Sequence, residues 1–363
     1  KAQSKQPEKC PPVGKIEKKA FLPVYMRQLT QRICEGLKTT EEKPLKGLQI
    51  AVDAGNGAGG FYATMLQKLG ACTDGSQFLN PDGMFPNHIP NPENPEAISS
   101  LRNAVIKSGA DLGVIFDTDC DRAAVVDADG REINRNRLIA LISAILLEQE
   151  KGLTIVTDSV TSSGLQQFIC ARGGKHYRFK RGYRNVIDEA IRLNQAGIKC
   201  PLAIETSGHA ALMENHFLDD GMYLVTVLIV KAMQMKLKGK NLGSLIEDLK
   251  EPVESVEVRL NILASDFRQA GQEAIKRVTT YATEDNRWHI APDNREGVRI
   301  QFDLDDQKDA GWFLLRLSVH DPVMPVNCES DIPGGVSYML KELEKALRGT
   351  EGIDLSQLIK YLD

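Results

Sequence analysis

GVIFDTDCDR, residues Gly113 to Arg122, is the stretch from which the rest of this chain can be interpreted. The segment Leu112–Phe116 is apolar and contains β-branched residues, which predicts a buried strand. Three carboxylates follow it at alternate positions: Asp117, Asp119 and Asp121. Carboxylates this close repel one another, and a hard divalent cation with oxygen ligands relieves that repulsion. The pattern therefore predicts a metal site, with magnesium as the expected ion, at the end of a strand.

Arg122 follows the third aspartate and supplies a fixed cation suited to phosphate oxygens. Two other kinds of loop share part of the pattern. An EF-hand loop needs Gly at its sixth position and Glu at its twelfth, where this chain has Arg122 and Ala128, so the sequence disfavours an EF-hand. A phosphatase of the haloacid-dehalogenase type would use Asp117 as nucleophile and Asp119 as acid/base. It expects Thr or Val in place of Asp121, and this alternative stays open.

The composition narrows the class of protein. A chain of 363 residues is long enough for two or three domains, each with its own core. The net charge of -4 and the lack of a long apolar run lead us to expect no nucleic-acid and no membrane partner. The seven cysteines are scattered and form no C-x-x-C pair. They indicate free thiols in a reducing compartment, either the cytoplasm or the plastid stroma.

The predicted elements divide the chain into four parts. Residues 1–20, rich in Lys, Glu, Gln and Pro, predict a linker, and from it we expect a further domain upstream. Residues 21–150 predict an α/β domain with the metal loop, and residues 151–250 a second α/β domain. Residues 251–363 predict a smaller α+β domain. The predicted class is therefore α/β, with two similar mixed-sheet domains in tandem and a smaller C-terminal α+β domain.

A repeated pattern supports the two similar domains. LQIAVDAGNGAGG at residues 48–60 and LTIVTDSVTSSGL at residues 153–165 both give a strand, an Asp and a turn of small residues. The metal loop and ETSGH, Glu205 to His209, follow corresponding later strands. Ligands of α/β sheets gather at the carboxyl ends of strands, so we expect the two loops to face one cleft. Glu205 and Ser207 alternate and suit the hydroxyl groups of a sugar, and the segment alone is equally compatible with a surface turn.

Two further segments carry candidate anion-binding groups. The basic turn FKRGYRN, residues 179–185, contains Lys180, Arg181 and Arg184 around Gly182. It precedes a predicted helix and is compatible with an anion or substrate loop, and equally with a solvated charge cluster. The segment RLSVHDP, residues 316–322, places Arg316, Ser318 and His320 at alternate positions. These three side chains can converge on one phosphate.

With these four loops the chain resembles the α-D-phosphohexomutase family, which comprises phosphoglucomutase, phosphomannomutase and phosphoglucosamine mutase. DTDCDR is similar to the family metal loop D-G-D-x-D-R, and ETSGH to the sugar loop G-E-x-S-G-H. GYRN resembles a loop that helps recognise the sugar, and RLSVHDP resembles the phosphate loop R-x-S-x-T-x-P. The resemblance implies Mg²⁺ on Asp117, Asp119 and Asp121, with Arg122 as the catalytic cation. It implies substrate contacts from Gly182, Tyr183, Arg184, Glu205, Ser207, His209, Arg316, Ser318 and His320.

The resemblance also implies a reaction, the interconversion of hexose 1-phosphate and 6-phosphate through a phosphoserine and a sugar bisphosphate intermediate. It runs from about Phe21 to near Gly349, which corresponds to the second, third and fourth family domains. The first-domain loop T-x-S-H-x-P, which carries the phosphoserine, does not occur here, so we expect no turnover from this chain alone. His320, Asp321 and Asn327 depart from the family phosphate loop. These departures leave open the alternative that this is a non-catalytic protein that binds sugar phosphates or has a regulatory role.

Cys120 lies inside the metal loop, where the family usually has a small residue. One hypothesis is redox control, in which oxidation of this thiol distorts the loop and prevents metal binding. The alternative is a buried, inert thiol.

Overall fold

The structure of the protein, a computed structural model, describes residues 14–283, 287–318 and 321–362. The helices are α1 (Leu22–Leu37), α2 (Phe61–Lys68), α3 (Pro95–Ser108), α4 (Asn136–Gln149), α5 (Ser163–Ala171), α6 (Tyr183–Gln195), α7 (Gly221–Lys236), α8 (Phe267–Ala282), α9 (Gly335–Leu347) and α10 (Ser356–Leu362). The strands are β1 (Ile50–Asp53), β2 (Leu112–Phe116), β3 (Ala123–Asp127), β4 (Glu132–Ile133), β5 (Thr154–Thr157), β6 (Lys175–Arg178), β7 (Leu202–Ile204), β8 (Ala210–Leu212), β9 (Glu254–Ile262), β10 (Trp288–Ile290), β11 (Val298–Leu304), β12 (Gln307–Leu315), β13 (Val323–Ser330) and β14 (Ile353–Asp354). None of the helices within these ranges is both long and apolar enough to cross a bilayer.

The strands form three sheets. The first has the order β1-β2-β3-β4, in which β1 and β2 are parallel and the remaining pairs are antiparallel. The second has the order β6-β5-β7-β8, in which β5 is parallel to both neighbours and β7 is antiparallel to β8. The third is a six-stranded antiparallel sheet, β10-β11-β12-β13-β9-β14. The predicted class, two similar mixed-sheet α/β units followed by an α+β unit, is confirmed.

The first two units repeat one chain path. In each, a crossover helix joins two parallel strands, α3 between β1 and β2 and α6 between β5 and β7. A hairpin then follows, β2–β3 in the first unit and β7–β8 in the second. All residues of β2 and β7 are buried, as expected for strands covered on both faces. The hairpin loops, residues 117–122 and 205–209, therefore occupy equivalent positions.

Two helices couple the units by packing outside their own stretch of sequence. α7 follows the second sheet along the chain but packs on α1, β2 and β3. It begins after Asp220, whose carboxylate accepts hydrogen bonds from the Tyr223 amide and the Tyr25 hydroxyl of α1. α4 follows the first sheet but packs on α5 and on the short 3₁₀-helix Leu242–Ile246. The two units, which correspond to the predicted ranges 21–150 and 151–250, consequently share one apolar core.

The C-terminal unit docks against the loop that follows β5 and against the end of β6. The Arg299 guanidinium is buried and donates hydrogen bonds to the carbonyl oxygens of Ser159 (2.9 Å) and Thr161 (3.1 Å). The central guanidinium carbon of Arg299, Cζ, lies 3.5 Å from the ring centroid of Trp312. Arg178 at the end of β6 forms an ion pair with Asp293, at 2.5 Å. Because these charged groups are buried, their hydrogen bonds are needed to offset desolvation, and they fix how the unit docks.

A glycine at the start of α7 provides a test of how closely this helix approaches the 117–122 loop. The Gly221 amide donates to the Cys120 carbonyl (3.1 Å), and a Cβ at Gly221 would lie 2.8 Å from the Arg122 carbonyl carbon. The Arg122 carbonyl carbon belongs to the backbone and cannot move aside as a flexible side chain could. We therefore expect Gly221→Ala to lower the free energy of unfolding by about 1–3 kcal/mol. Urea denaturation followed by circular dichroism measures the change.

Gly83 provides the matched control, because a Cβ there would meet nothing within 4 Å. Gly83→Ala should therefore leave the unfolding curve nearly unchanged. Equal curves for the two variants would mean that α7 does not constrain the loop.

Candidate active site

The three aspartates at the end of β2 form one cluster. Their carboxylate oxygens lie within 4.8 Å of one another. Asp117 is buried, and its Oδ1 accepts hydrogen bonds from the amides of Cys120 (3.0 Å) and Arg122 (3.2 Å). Its Oδ2 accepts from Arg122 Nε at 2.9 Å. The loop is thus folded around the Asp117 carboxylate, and it presents three hard oxygen donors of the kind that Mg²⁺ or Ca²⁺ takes.

Cys120 sits at the tight point of this loop. Its φ of 71° lies in the left-handed region, which is uncommon for a residue other than glycine. Its side chain is buried, and burial, with a further contribution from Asp117 and Asp119, raises the pKa of the thiol. Because the thiolate is the reactive form, these surroundings favour the inert-thiol hypothesis over redox control.

A histidine from the second unit lies beside the third aspartate. His209 Nδ1 is 2.8 Å from Asp219 Oδ2 and 3.7 Å from Asp121 Oδ1. Burial lowers the pKa of His209, but the hydrogen bond to Asp219 and the negative charges of Asp219 and Asp121 together outweigh it, and the net shift is upward. Burial raises the pKa of Asp121 to about 6; His209 opposes this shift, while Asp117 and Asp119 add to it. Negative charge is therefore in excess here, which is a suitable environment for a divalent cation.

The two hairpin loops meet through their backbones. Arg122 and His209 form an antiparallel β-bridge. Gly208, which has a φ of 98°, leaves no room for a Cβ, since one would lie 2.8 Å from the Ala123 carbonyl oxygen. The metal loop and ETSGH are therefore in direct contact, as the repeated pattern leads one to expect.

Glu205 links ETSGH to the basic turn. Its Oε1 accepts a hydrogen bond from the Gly182 amide (2.6 Å), and its Oε2 accepts one from the Ser207 hydroxyl (3.4 Å). Burial, with a further contribution from the neighbouring Asp158, raises the pKa of Glu205 to about 7. The rings of Tyr183 and His209 stack at 5.1 Å, so the turn and ETSGH form one wall of the cleft.

The predicted site residues are not all brought together. The Arg184 side chain is 85% exposed and pairs with Asp188 on its own helix at 3.5 Å. Ser318 Oγ accepts a hydrogen bond from the Asp321 amide (3.3 Å). His320 lies outside the described residues, so its predicted role stays a prediction.

Arg316 directly follows β12 and is half-buried. Its Nε is buried and has no hydrogen-bond partner within the described part of the chain. Burial lowers the pKa of the guanidinium, while the carboxylate of Glu296 opposes that shift. A guanidinium with a buried, unpaired Nε at this position is suited to an anionic ligand.

Sequence reasoning missed one residue of this region, Glu296. Its Oε2 accepts hydrogen bonds from the Arg181 amide (3.1 Å) and from the Ser159 hydroxyl. Glu296 lies in a loop of the C-terminal unit, far in sequence from both partners, and no local motif marks it. A cavity of about 210 Å³ lies beside these contacts, between the second and C-terminal units. Its lining includes Arg181, Thr206 and Asn327.

Comparison with known proteins places these loops in a family. Residues 23–130 match the model of phosphoglucomutase/phosphomannomutase alpha/beta/alpha domain II, and residues 134–253 match that of domain III. A phosphomannomutase/phosphoglucomutase from Pseudomonas syringae pv. tomato is 30% identical over 353 residues, which cover 96% of this chain and 67% of the relative. The chain spans 62–67% of the length of such Pseudomonas relatives.

Solved structures share the fold. A phosphoglucomutase/phosphomannomutase family protein from Burkholderia thailandensis gives a TM-score of 0.72 at 26% identity, covering 90% of this chain and 64% of that one. An Aspergillus fumigatus N-acetylphosphoglucosamine mutase, in complex with GlcNAc-6P and magnesium, gives a TM-score of 0.55 at 13% identity, with coverages of 89% and 70%. At that identity the second likeness concerns the fold alone.

Glu205 gives the site a measurable pH dependence. Its folded pKa of about 7 lies above the ordinary value of 4.5, so the folded state holds a proton that the unfolded state releases. The free energy of unfolding from this group therefore falls as pH rises from 4.5 to 7. We expect wild type to lose about 1–3 kcal/mol more than Glu205→Gln over this interval. Urea denaturation at about pH 4 and about pH 8, on either side of that interval, measures the difference.

The exposed Glu273 of α8 supplies the control. Glu273→Gln should keep the pH dependence of wild type. If Glu205→Gln kept it as well, Glu205 would not hold its proton in the folded protein.

Proposed function

Because the chain belongs to the phosphoglucomutase/phosphomannomutase family, we propose that it binds a divalent metal and a hexose phosphate in the interconversion of hexose 1-phosphate and hexose 6-phosphate. The observation that carries the proposal is the backbone bridge between Arg122 and His209. It joins a carboxylate loop suited to a metal to a loop suited to a sugar, and so forms one site from two units. The comparisons support neither the dehalogenase-type phosphatase nor the non-catalytic binding protein.

The metal of the proposal is magnesium, held by Asp117, Asp119 and Asp121. Three clustered carboxylates fit a hard cation, and the Aspergillus relative of the same fold was solved with magnesium. Bound there, the ion would neutralise charge on a phosphoryl group during transfer. Arg122 is oriented by its Nε bond to Asp117, and its Nη groups make no hydrogen bond within the described residues. They are therefore available to the same phosphoryl group.

In the proposed complex, the sugar ring of the substrate lies against ETSGH. Glu205 and Ser207 are held in place by each other and by the Gly182 amide, and they can accept from and donate to sugar hydroxyls. Thr206 between them is anchored on the buried Asp158, whose Oδ2 accepts from the Thr206 amide (3.2 Å) and hydroxyl (2.7 Å). This anchoring fixes the loop before substrate arrives, which lowers the entropic cost of binding.

The phosphoryl donor of the proposal is a serine phosphate. Its phosphoryl group moves to the free hydroxyl of the hexose monophosphate, which gives a bisphosphate and a free serine. The other phosphoryl group then returns to the serine, so that the isomeric monophosphate leaves. The sequence of 363 residues has no T-x-S-H-x-P loop, and we expect this chain alone to bind substrate without turning it over.

Metal binding is the first testable part. We expect Asp119→Asn to weaken Mg²⁺ affinity by about tenfold or more, because one of three charged oxygen ligands becomes a neutral amide. Isothermal titration calorimetry of the chain with Mg²⁺ measures this. Asp129→Asn changes an exposed aspartate of the next turn and should leave the affinity unchanged. Equal losses in both variants, or in neither, would place the ion elsewhere.

Turnover tests the proposal as a whole. We expect the product of the complete reading frame, with Mg²⁺ and glucose 1,6-bisphosphate, to interconvert the 1- and 6-phosphates of glucose, mannose or glucosamine. Glu205→Gln should retain less than about a tenth of this activity, since it removes an acceptor for a sugar hydroxyl. Substrate binding without interconversion of any of the three sugars would contradict the enzyme and favour a sugar-phosphate-binding protein.

A further inference from the structure

A buried histidine of the first unit is not among the site residues described above. His88 lies in the loop that precedes α3, and its side chain is 3% exposed. Its ring is packed on two sides. The ring of Phe78 meets it edge-on with the centroids 5.4 Å apart, and a Cβ on Gly55 would lie 3.1 Å from its Cε1. The ring therefore has little room to turn away from its neighbours.

Both ring nitrogens of His88 face hydrogen-bond acceptors. Nδ1 lies 3.0 Å from the carbonyl oxygen of Ile89, and Nε2 lies 3.1 Å from each carboxylate oxygen of Asp53. A carbonyl oxygen and an ionised carboxylate can only accept, and a neutral imidazole has a single N–H to donate. Both contacts are therefore satisfied only when the ring carries two protons and is an imidazolium.

The surroundings of Asp53 favour a carboxylate rather than a carboxylic acid. This side chain is buried at the end of β1, where its Oδ1 accepts from the Gly55 amide (2.8 Å) and its Oδ2 from the Gln77 side chain (2.7 Å). Both donors stabilise the negative charge. An imidazole, with an ordinary pKa of about 6.5, is also a stronger base than a carboxylate, with about 3.9. The proton between the two groups consequently belongs to the ring.

Charged groups on two neighbouring elements hold the second proton on His88. The hydrogen bond to Asp53 of β1 is the largest cause that raises the pKa of His88, and burial opposes it. The Ile89 carbonyl and the negative charges of Asp53 and of Glu96, in the first turn of α3, add to the increase, so the net shift is upward from 6.5. The ring therefore keeps both protons to a higher pH than an exposed histidine does.

The ring contact supports a turn that leads to the cleft. The Ile89 carbonyl accepts from the Asn91 amide (2.8 Å) as well as from the ring. The Asn91 side chain in turn accepts from the Glu93 amide (2.9 Å). The Glu93 carboxylate lines the cavity between the second and C-terminal units and pairs with Arg135 at 3.2 Å. One short segment thus connects the end of β1 to the wall of this cavity.

The middle of this segment has a second tether, which does not titrate. Asn134 Nδ2 donates to the Pro92 carbonyl (2.8 Å). Loss of the ring contact would therefore loosen residues 88–91 and leave Pro92 in place. The Glu93 amide would be affected, because its acceptor belongs to Asn91.

We propose that His88 is a pH-sensitive latch, which as an imidazolium fastens residues 88–91 to the end of β1 and releases them when it loses one proton. The proton that remains stays on Nε2, since a hydrogen bond to a charged acceptor is the stronger one. Nδ1 then presents a lone pair to the Ile89 carbonyl oxygen, and two acceptors face each other. The turn loosens as pH rises, and the support of Glu93 at the cavity weakens with it. This inference concerns the fold of the first unit and does not rest on the proposed function.

The test is NMR spectroscopy of the chain with labelled histidine rings and amides, from about pH 5 to about pH 9. We expect both ring nitrogens of His88 to carry protons at the low end, and Nδ1 to lose its proton with a midpoint above 6.5. The protection factors of the Asn91 and Glu93 amides against hydrogen exchange should fall by about tenfold over the same interval, because one charged hydrogen bond is lost. The Gly152 amide, bonded to the Gly173 carbonyl at 2.7 Å in the second unit, should show no such change.

Three variants identify the titrating group. Asp53→Asn removes the charge that holds the second proton, so the midpoint and the loosening should both move to lower pH. His88→Gln cannot titrate, and its Asn91 and Glu93 amides should be poorly protected at every pH. His216→Gln changes an exposed histidine and should behave as wild type.

Each result decides for or against the latch. A His88 ring with a single proton at about pH 5 would overturn the imidazolium. An imidazolium whose titration leaves the Asn91 and Glu93 amides equally protected would make the pair a fixed ion pair and overturn the latch. Loosening at the same pH in wild type and Asp53→Asn would assign it to another group and overturn the latch as well. If His88→Gln or Asp53→Asn does not fold, the wild-type ring and amide titrations decide alone, and only coincident midpoints support the latch.

Discussion

Buried negative charge at the carboxyl ends of strands is the constraint on which this structure depends. Asp53, Asp117, Asp158 and Glu205 all follow core strands and are almost wholly removed from water. Each would destabilise the fold unless donors surround it. Asp53 is satisfied by the Gly55 amide (2.8 Å) and by His88 (3.1 Å), whose pKa it raises. Asp158, at the equivalent position of the second unit, is held instead through its Oδ2 by Thr206 of the neighbouring loop, and its buried Oδ1 has no hydrogen-bond partner in the described chain.

This difference between equivalent positions separates a loop that is closed on itself from a loop that is linked to the site. In the first unit the pair of Asp53 and His88 is closed within one domain and leaves no group for a ligand. In the second unit, Asp158 ties the β5 loop to ETSGH, and Glu205 ties ETSGH to the basic turn. The same solution, a carboxylate held by backbone amides, thus links successive loops around the cleft. The exchange of α4 and α7 between the units then holds the two sets of loops against each other through a common core.

The sequence predicts what depends on neighbouring residues and misses what depends on distant ones. The strand Leu112–Phe116 is local in character and forms as β2, and the clustering of the three aspartates follows from their spacing. The similar paths of the first two units follow from a repeated pattern. The strand β12 ends at Leu315, opposite Val298, where its hairpin partner β11 begins, so the end of this strand depends on a distant one.

Side-chain direction was the harder part of the site. Arg181 and Arg184 are three residues apart in one basic turn, and composition cannot distinguish them. Arg184 lies in the first turn of α6, where it projects to solvent and pairs with Asp188 along the helix. Arg181 precedes the helix, and Glu296 of the C-terminal unit fixes its backbone. Only the docking of that unit, through Arg299 and Arg178, decides which arginine faces the cleft.

The same docking makes the wall of the cleft a property of the assembled protein. Arg299 belongs to the third sheet, yet its buried guanidinium bonds to the carbonyl oxygens of Ser159 and Thr161, which follow β5. Glu296 in the same unit bonds to the Arg181 amide, next to Gly182, whose own amide bonds to Glu205. Undocking the C-terminal unit would leave the buried Arg299 guanidinium without these acceptors, which is costly. The position of the basic turn beside ETSGH therefore depends on charged groups that lie more than a hundred residues away in the sequence, and no local pattern could have marked them.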